Sequence, residues 1–138
     1  MQWDNSANAG FSSAMPWLRV NSNYKEGINV ASQEGKKNSV LNYFRQMVQV
    51  RQNHPALIYG TYQLLLPADE KFYAYTRTLE DQRYLVLLSF STKKAVKTIN
   101  EIEFKKVALV ISNDETDITK QGNQFELMPY QACIYKLY

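Results

Sequence analysis

FYAYTRTLEDQRYLVLLSF, residues 72–90, decides the fold. From Phe72 to Thr78 apolar and polar character alternates with a period of two. Phe72, Ala74 and Thr76 fall on one side, Tyr73, Tyr75 and Arg77 on the other, as in a strand with two different faces. The Glu80-Asp81 pair forms a tip. Beyond it Tyr84–Phe90 carries Leu85, Val86, Leu87 and Leu88 without interruption, which predicts a strand covered on both faces. A strand of that kind needs neighbours, and they are sought on either side.

Downstream, Ala95–Ile99 is a weaker strand candidate, and Val107–Ile111 is another continuous apolar run closed by Ser112-Asn113-Asp114. Gln124–Leu127 and Ala132–Leu137, separated by Pro129, finish the chain. Upstream, Thr61–Leu66 is ended by a Pro67-Ala68-Asp69-Glu70 turn. Six or seven short strands joined by short turns predict an antiparallel sandwich or barrel.

The strands are preceded by a helix and an irregular segment. Asn38 or Ser39 suits a helix N-cap, and Leu41, Phe44, Val48 and Arg51 follow at helical spacing, with Val40 and Met47 alongside. Arg45, Arg51 and His54 lie late in the helix, where cations suit the negative end of its dipole. Pro55 stops it. The pattern predicts a helix over 39–53 with one buried face. Residues 1–37 show no sustained period. Their apolar residues are isolated anchors, Trp3 and Trp17 among them, and a disordered tail would not carry two tryptophans. The expected fold class is therefore mainly β: an antiparallel β-sandwich preceded by an irregular segment and one α-helix.

The totals agree with a globular chain. It has 138 residues, 45% of them apolar and 21% charged, enough for one ordinary core. A net charge of +3, with Lys and Arg spread among 13 acids, gives no nucleic-acid footprint. No apolar run approaches the roughly 20 residues of a membrane span. The single Cys133 has no internal disulfide partner, and no leader is visible, so the cytoplasm is the expected compartment.

Catalytic constellations are missing from these residues. A hydrolytic triad needs a base beside its nucleophile, and the one histidine, His54, is explained by its place at a helix end. No metal-binding or nucleotide-binding motif occurs, so no cofactor or metal is expected. Asp114-Glu115-Thr116-Asp117 is the densest acidic group, but turn chemistry between two strands accounts for it. Cys133, within the last strand, reads as a small core residue. Tyr73, Tyr75 and Arg77 share a strand face and suit either sugar stacking or cross-strand pairing.

A resemblance adds what the residues alone do not. MQWDNSANAGFSS (residues 1–13), PWLRVNSNYKEGINVASQ (16–33), SVLNYFRQMVQVRQNHPALIYGTYQLLLP (39–67) and FYAYTRTLEDQRYLVLLSFS (72–91) occur in an order that resembles the C-terminal part of the bacterial α-glucosidases of glycoside hydrolase family 13. Oligo-1,6-glucosidases and dextran glucosidases are the nearest in character, with trehalose-6-phosphate hydrolases and sucrose isomerases related. The likeness extends more loosely to MPYQACIYKL at the end. The chain departs from the family at Ser22, where a proline is usual, and at Gly27, which looks inserted. Both changes return backbone freedom to the loop.

The resemblance implies that residues 1–55 are the last loop and final helix of a catalytic (β/α)8 barrel, and that 56–138 are the C-terminal β-sandwich domain. The chain then begins inside a loop of a longer protein. Family members hydrolyse α-glucosidic bonds with retention, using an Asp nucleophile and a Glu acid/base. Those residues belong to earlier barrel strands, so the resemblance implies no catalytic residue here. Gln2, Trp3 and Asp4, after the eighth strand, lie on the side of the barrel that carries active sites. Trp3 then stacks on a sugar at the rim or wedges the loop against barrel side chains. The expected partners are the barrel itself, an α-glucan oligosaccharide in the parent protein only, and, with the barrel removed, other copies of this chain.

Overall fold

The computed structural model describes residues 1–114 and 120–138. Of the acidic group named above, Glu115, Thr116 and Asp117 lie outside them. The chain forms two compact units, Met1–Val48 and Gln49–Tyr138.

The second unit is a β-sandwich. Strands β1 (Thr61–Leu65), β2 (Phe72–Leu79), β3 (Gln82–Ser89), β5 (Val107–Ser112) and β8 (Ala132–Leu137) form one sheet in the order β1-β2-β3-β8-β5. Strands β4 (Ala95–Thr98), β6 (Lys120–Gln121) and β7 (Gln124–Leu127) form the other, in the order β4-β7-β6. All pairings are antiparallel. The hairpin that opened the sequence reading is present, with Phe72 opposite Ser89 and Leu79 opposite Gln82. Glu80 makes its tip in a left-handed conformation, φ 53°. β3 is the central strand, and Tyr84 through Leu87 are all buried. A register shift between Leu109 and Ile111 marks a bulge in β5.

Period-two alternation assigns the inner face. Leu65, Phe72, Ala74, Leu85, Leu87, Cys133, Tyr135 and Leu137 point from the larger sheet toward Phe125 and Leu127 of the smaller one, with Ile99 and Ile102 from connecting segments. Each large side chain buried in this way contributes about 1.5–3 kcal/mol. Phe125 is the centre, with its ring 5.3 Å from Tyr135 and 6.0 Å from Phe104.

The outer face of the larger sheet has a smaller core of its own. Ala56 and Leu57, in the short helix α3 (Ala56–Tyr59), pack on Tyr84, with Val50, Val110 and Ile134 beside them. Three polar ties fix α3 there. The Arg51 guanidinium donates to the Leu57 carbonyl (2.9 Å), and Arg77 donates to the carbonyls of Ile58 (2.8 Å) and Ala56 (3.4 Å). His54 directs Nδ1 at the Val50 carbonyl (2.7 Å) and sets its ring edge-on to Tyr84. It is a packing residue that closes a helix.

Two expectations need correction. The sequence predicted one helix, but α1 (Val30–Glu34) and α3 are present beside α2 (Val40–Asn53), together with two short 3-10 turns. These elements are too short to show a period, which is why the pattern missed them. The helix over 39–53 was also expected to bury one face. α2 has no buried residue, and Val40 and Phe44 are exposed. Within Met1–Val48 its apolar stripe stays open to solvent, Met47 and Val48 included.

A candidate loop site around Gln2, Trp3 and Asp4

The first unit is held by hydrogen bonds more than by burial. The Gln2 and Trp3 carbonyls accept from Val30 N (2.9 Å) and Ala31 N (2.8 Å), the otherwise unpaired donors that open α1. Gln2 Nε2 donates to Asn23 Oδ1 (3.0 Å) and to the Ile28 carbonyl (2.6 Å). Asn29, itself buried, donates through Nδ2 to the Tyr24 carbonyl (2.7 Å) and caps α1 by accepting from Ser32 N (2.8 Å). Segments some twenty residues apart are thereby sewn to the Gln2–Asp4 stretch.

On the other side of that stretch Asn8, Ala9 and Gly10 adopt three successive left-handed conformations, φ 54°, 57° and 65°. Left-handed backbone is costly for a residue with a Cβ, particularly alanine, and surrounding contacts must enforce it. Here the Ala9 carbonyl accepts from Trp3 N (2.8 Å), its side chain is fully buried, and Asn8 Nδ2 donates to the carbonyls of Ser12 (3.0 Å) and Ala14 (3.2 Å). Gly10 is required. A Cβ there would sit 2.8 Å from the Asp4 carboxylate.

These contacts fix what the three candidate residues can do. Asp4 accepts from the Ser6 hydroxyl and from Ser6 N (2.8 Å), and these bonds, the hydroxyl first, hold its carboxyl below the usual range. It is an ionised turn-former. The Gln2 amide is engaged by Asn23 and Ile28. Trp3 alone presents a side chain outward, its indole half exposed. A cleft of about 470 Å³ takes only Gln2 of the three into its wall, with Ile28, Gln33, Val40, Leu41 and Phe44. The wall is largely apolar and brings together no nucleophile and base.

α1 and α2 are joined by Asn42, whose Nδ2 shares its two hydrogens among the carbonyls of Gln33 (3.0 Å) and Glu34 (3.0 Å), the last two of α1, and of Lys36 (2.9 Å) just beyond it. Arg45 adds a bidentate bond to Glu34 (2.6 and 2.7 Å). Sequence reading placed Arg45 by the helix dipole and did not find this partner, eleven residues away. Ser39 caps α2 by accepting from Asn42 N (3.2 Å). Among the described residues no cluster of three or more His, Cys, Asp and Glu is arranged to hold a metal, and no helix is long and apolar enough to cross a membrane. Cys133 is buried, and burial pushes its thiol pKa up.

The class these features define is an antiparallel β-sandwich preceded in the chain by a hydrogen-bonded loop and helix. Comparison with known proteins gives that class a family. Residues 62–134 match the maltogenic amylase C-terminal domain, and residues 1–60 match the alpha amylase catalytic domain. The chain belongs to the maltogenic amylase C-terminal domain family, within the α-amylase enzymes of glycoside hydrolase family 13.

It is 41% identical to the oligo-1,6-glucosidase of Parageobacillus thermoglucosidasius over 138 residues, covering 99% of this chain and 24% of that protein. Among solved structures, the isomaltulose synthase of Klebsiella sp. LX3 superposes with a TM-score of 0.87 at 40% identity, over 99% of this chain and 24% of that one. The Bacillus licheniformis trehalose-6-phosphate hydrolase superposes with a TM-score of 0.87 at 32% identity, over 99% and 25%. The chain thus spans about a quarter of the length of these relatives.

Proposed function

We propose that these residues are the non-catalytic C-terminal part of an α-glucosidase acting on isomalto- or malto-oligosaccharides, with 1–55 completing its barrel and 56–138 packing against that barrel and stabilising it. One observation carries this reading. The segment matched to the catalytic domain leaves Trp17 92%, Met15 91% and Val40 81% exposed. Large apolar side chains held in an ordered, hydrogen-bonded frame yet left in water are the mark of a surface made to be covered. In this reading Trp3 is the rim contact to sugar if any of the three loop residues is. Gln2 and Asp4 are committed to holding the loop that presents it. The lone reduced Cys133 fits a cytoplasmic protein.

The test is an assay of the chain alone on an aryl α-glucoside and on isomaltose, with titration of isomaltose in a calorimeter. No turnover and negligible heat are expected. Turnover at enzyme-like rates sinks the proposal, and saturable heat turns it into a carbohydrate-binding module.

Isomerisation stands beside hydrolysis as a second reading of the parent's activity. Isomaltulose synthases are as similar to this chain, at 40–42% identity, as the oligo-1,6-glucosidase is at 41%. Product analysis after incubating the full-length parent with sucrose separates the two.

A further inference from the structure

The outer face of the five-stranded sheet is covered over only part of its extent. Ala56 and Leu57 seal it at Tyr84, with Val50 and Ile134 beside them. On β1 and β2, farther toward the sheet edge, Tyr62, Leu64 and Tyr73 stay 48%, 41% and 40% exposed, with Tyr75 half-buried among them. Register places them on one surface with the sealed part. Leu64 lies opposite Tyr75, Tyr75 opposite Val86, and Val86 opposite Ile134.

We propose that Tyr62, Leu64, Tyr73 and Tyr75 form the seat of further catalytic-domain chain, continuing the contact that residues 49–60 already make with this sheet. The proposal rests on the reading of the chain as part of a larger glucosidase and names the face by which its sandwich is held. Continuity is the first ground. The side chains that seal the inner half belong to the segment matched to the catalytic domain, so chain of that origin already lies on this face. The surface beside it remains aromatic and apolar, the composition of an interface core.

Geometry supplies the second ground, by disfavouring a sugar. A pyranose stacks on a flat, open ring. Here Tyr75 packs against Tyr62 at 5.2 Å and against Tyr73 at 5.5 Å, with the rings inclined by 38° and 55°. Inclined rings packed on one another present edges and ridges, the arrangement aromatic side chains adopt within protein cores. The Tyr62 and Tyr73 hydroxyls bond each other at 2.6 Å, one donating and one accepting, so covering them leaves one O–H donor to be met by the covering chain rather than two.

The test replaces the matching 24% of the Parageobacillus oligo-1,6-glucosidase with these 138 residues and compares the graft with the free chain by hydroxyl-radical footprinting. Tyr62 and Tyr73 are expected to label in the free chain and to lose that labelling in the graft, while the exposed Tyr130 and Tyr138 label in both. A glucosidase-active graft in which Tyr62 and Tyr73 label as in the free chain overturns the seat and leaves the accessory-domain reading intact. A folded graft that labels like the free chain at every position sinks that reading itself. Protection of Tyr62 and Tyr73 by isomaltose in the free chain, or by formation of a dimer, also overturns the proposal. If the graft does not fold, the same footprint is read on the unaltered relative, where labelled side chains aligned with 62 and 73 count against the seat.

Discussion

The carboxylate of Asp69, in the turn after β1, pairs with the ammonium of Lys97 on β4, so one ion pair joins the two sheets of the sandwich. The same carboxylate accepts from Lys71 N (2.9 Å) and Phe72 N (3.0 Å), shaping the turn, while Lys97 lies 4.9 Å over the Phe72 ring. Turn geometry and sheet packing meet in one partly buried group.

Asp69→Asn should therefore destabilise the sandwich by about 1–3 kcal/mol, the range for a charge-assisted bond broken at a partly buried site. Burial pushes the Asp69 pKa up, but Lys97 and the two backbone N–H groups outweigh it, and the net shift is downward. A depressed folded-state pKa contributes stability that is fully present above the unfolded value of about 3.9 and is lost as pH falls through the folded one. Urea unfolding followed from neutral to acid pH should show a shallower decline in the Asn variant. Identical acid limbs would contradict the assignment.

Gly60 links α3 to β1 where the backbone leaves no room. A Cβ there would stand 2.4 Å from the Ala56 carbonyl oxygen and 2.8 Å from that of Thr78, while one on Gly35 meets nothing within 4 Å. Gly60→Ala should cost about 1–3 kcal/mol through forced backbone movement, and Gly35→Ala should be neutral or slightly stabilising. Thermal unfolding of the two variants side by side decides it, and equal midpoints would refute the close approach.

Tyr135 carries a polar atom into the core without a good use for it. Its hydroxyl is buried with no hydrogen-bond partner among the described residues, and the Cys133 thiol that interacts with it is a weak one. Burial pushes its pKa well up. Tyr135→Phe removes the buried hydroxyl and keeps the ring against Phe125, so stability should stay level or rise by up to about 1 kcal/mol. A clear loss in chemical denaturation would mean that the hydroxyl has a strong partner.

The β architecture was legible because Phe72–Ser89 writes its period and its burial directly into residue type. β4 was the weakest strand in the sequence and has no fully buried residue, with Val96 facing water. β6, two residues long, has too little sequence for any period. The loop was legible only as a motif. The left-handed run at Asn8–Gly10, the Gln2 ties to Asn23 and Ile28, and the Asn42 clamp all join residues by side-chain geometry at separations no local pattern encodes. The wide stripe of α2 was read correctly as apolar. That its residues are exposed depends on tertiary packing, which periodicity does not report.

That stripe sets the last expectation. Val40, Phe44, Met47 and Val48 fall at helical spacing on α2 and all remain solvent-accessible, Phe44 at 64%. Contiguous apolar surface of this kind drives association in water when its own partner is missing. The free chain should therefore sediment as dimers or larger species at micromolar concentration. Val40→Glu with Phe44→Glu should return it toward the monomer with helix content unchanged, since both sites face solvent and Glu is a good helix former. Sedimentation velocity with far-UV circular dichroism reads both quantities. A wild-type monomer, or a double variant that sediments like the wild type, would show that association does not run through this helix. The same two substitutions in the full-length parent should lower its thermal midpoint, because there the stripe is expected to be covered and a buried carboxylate is costly.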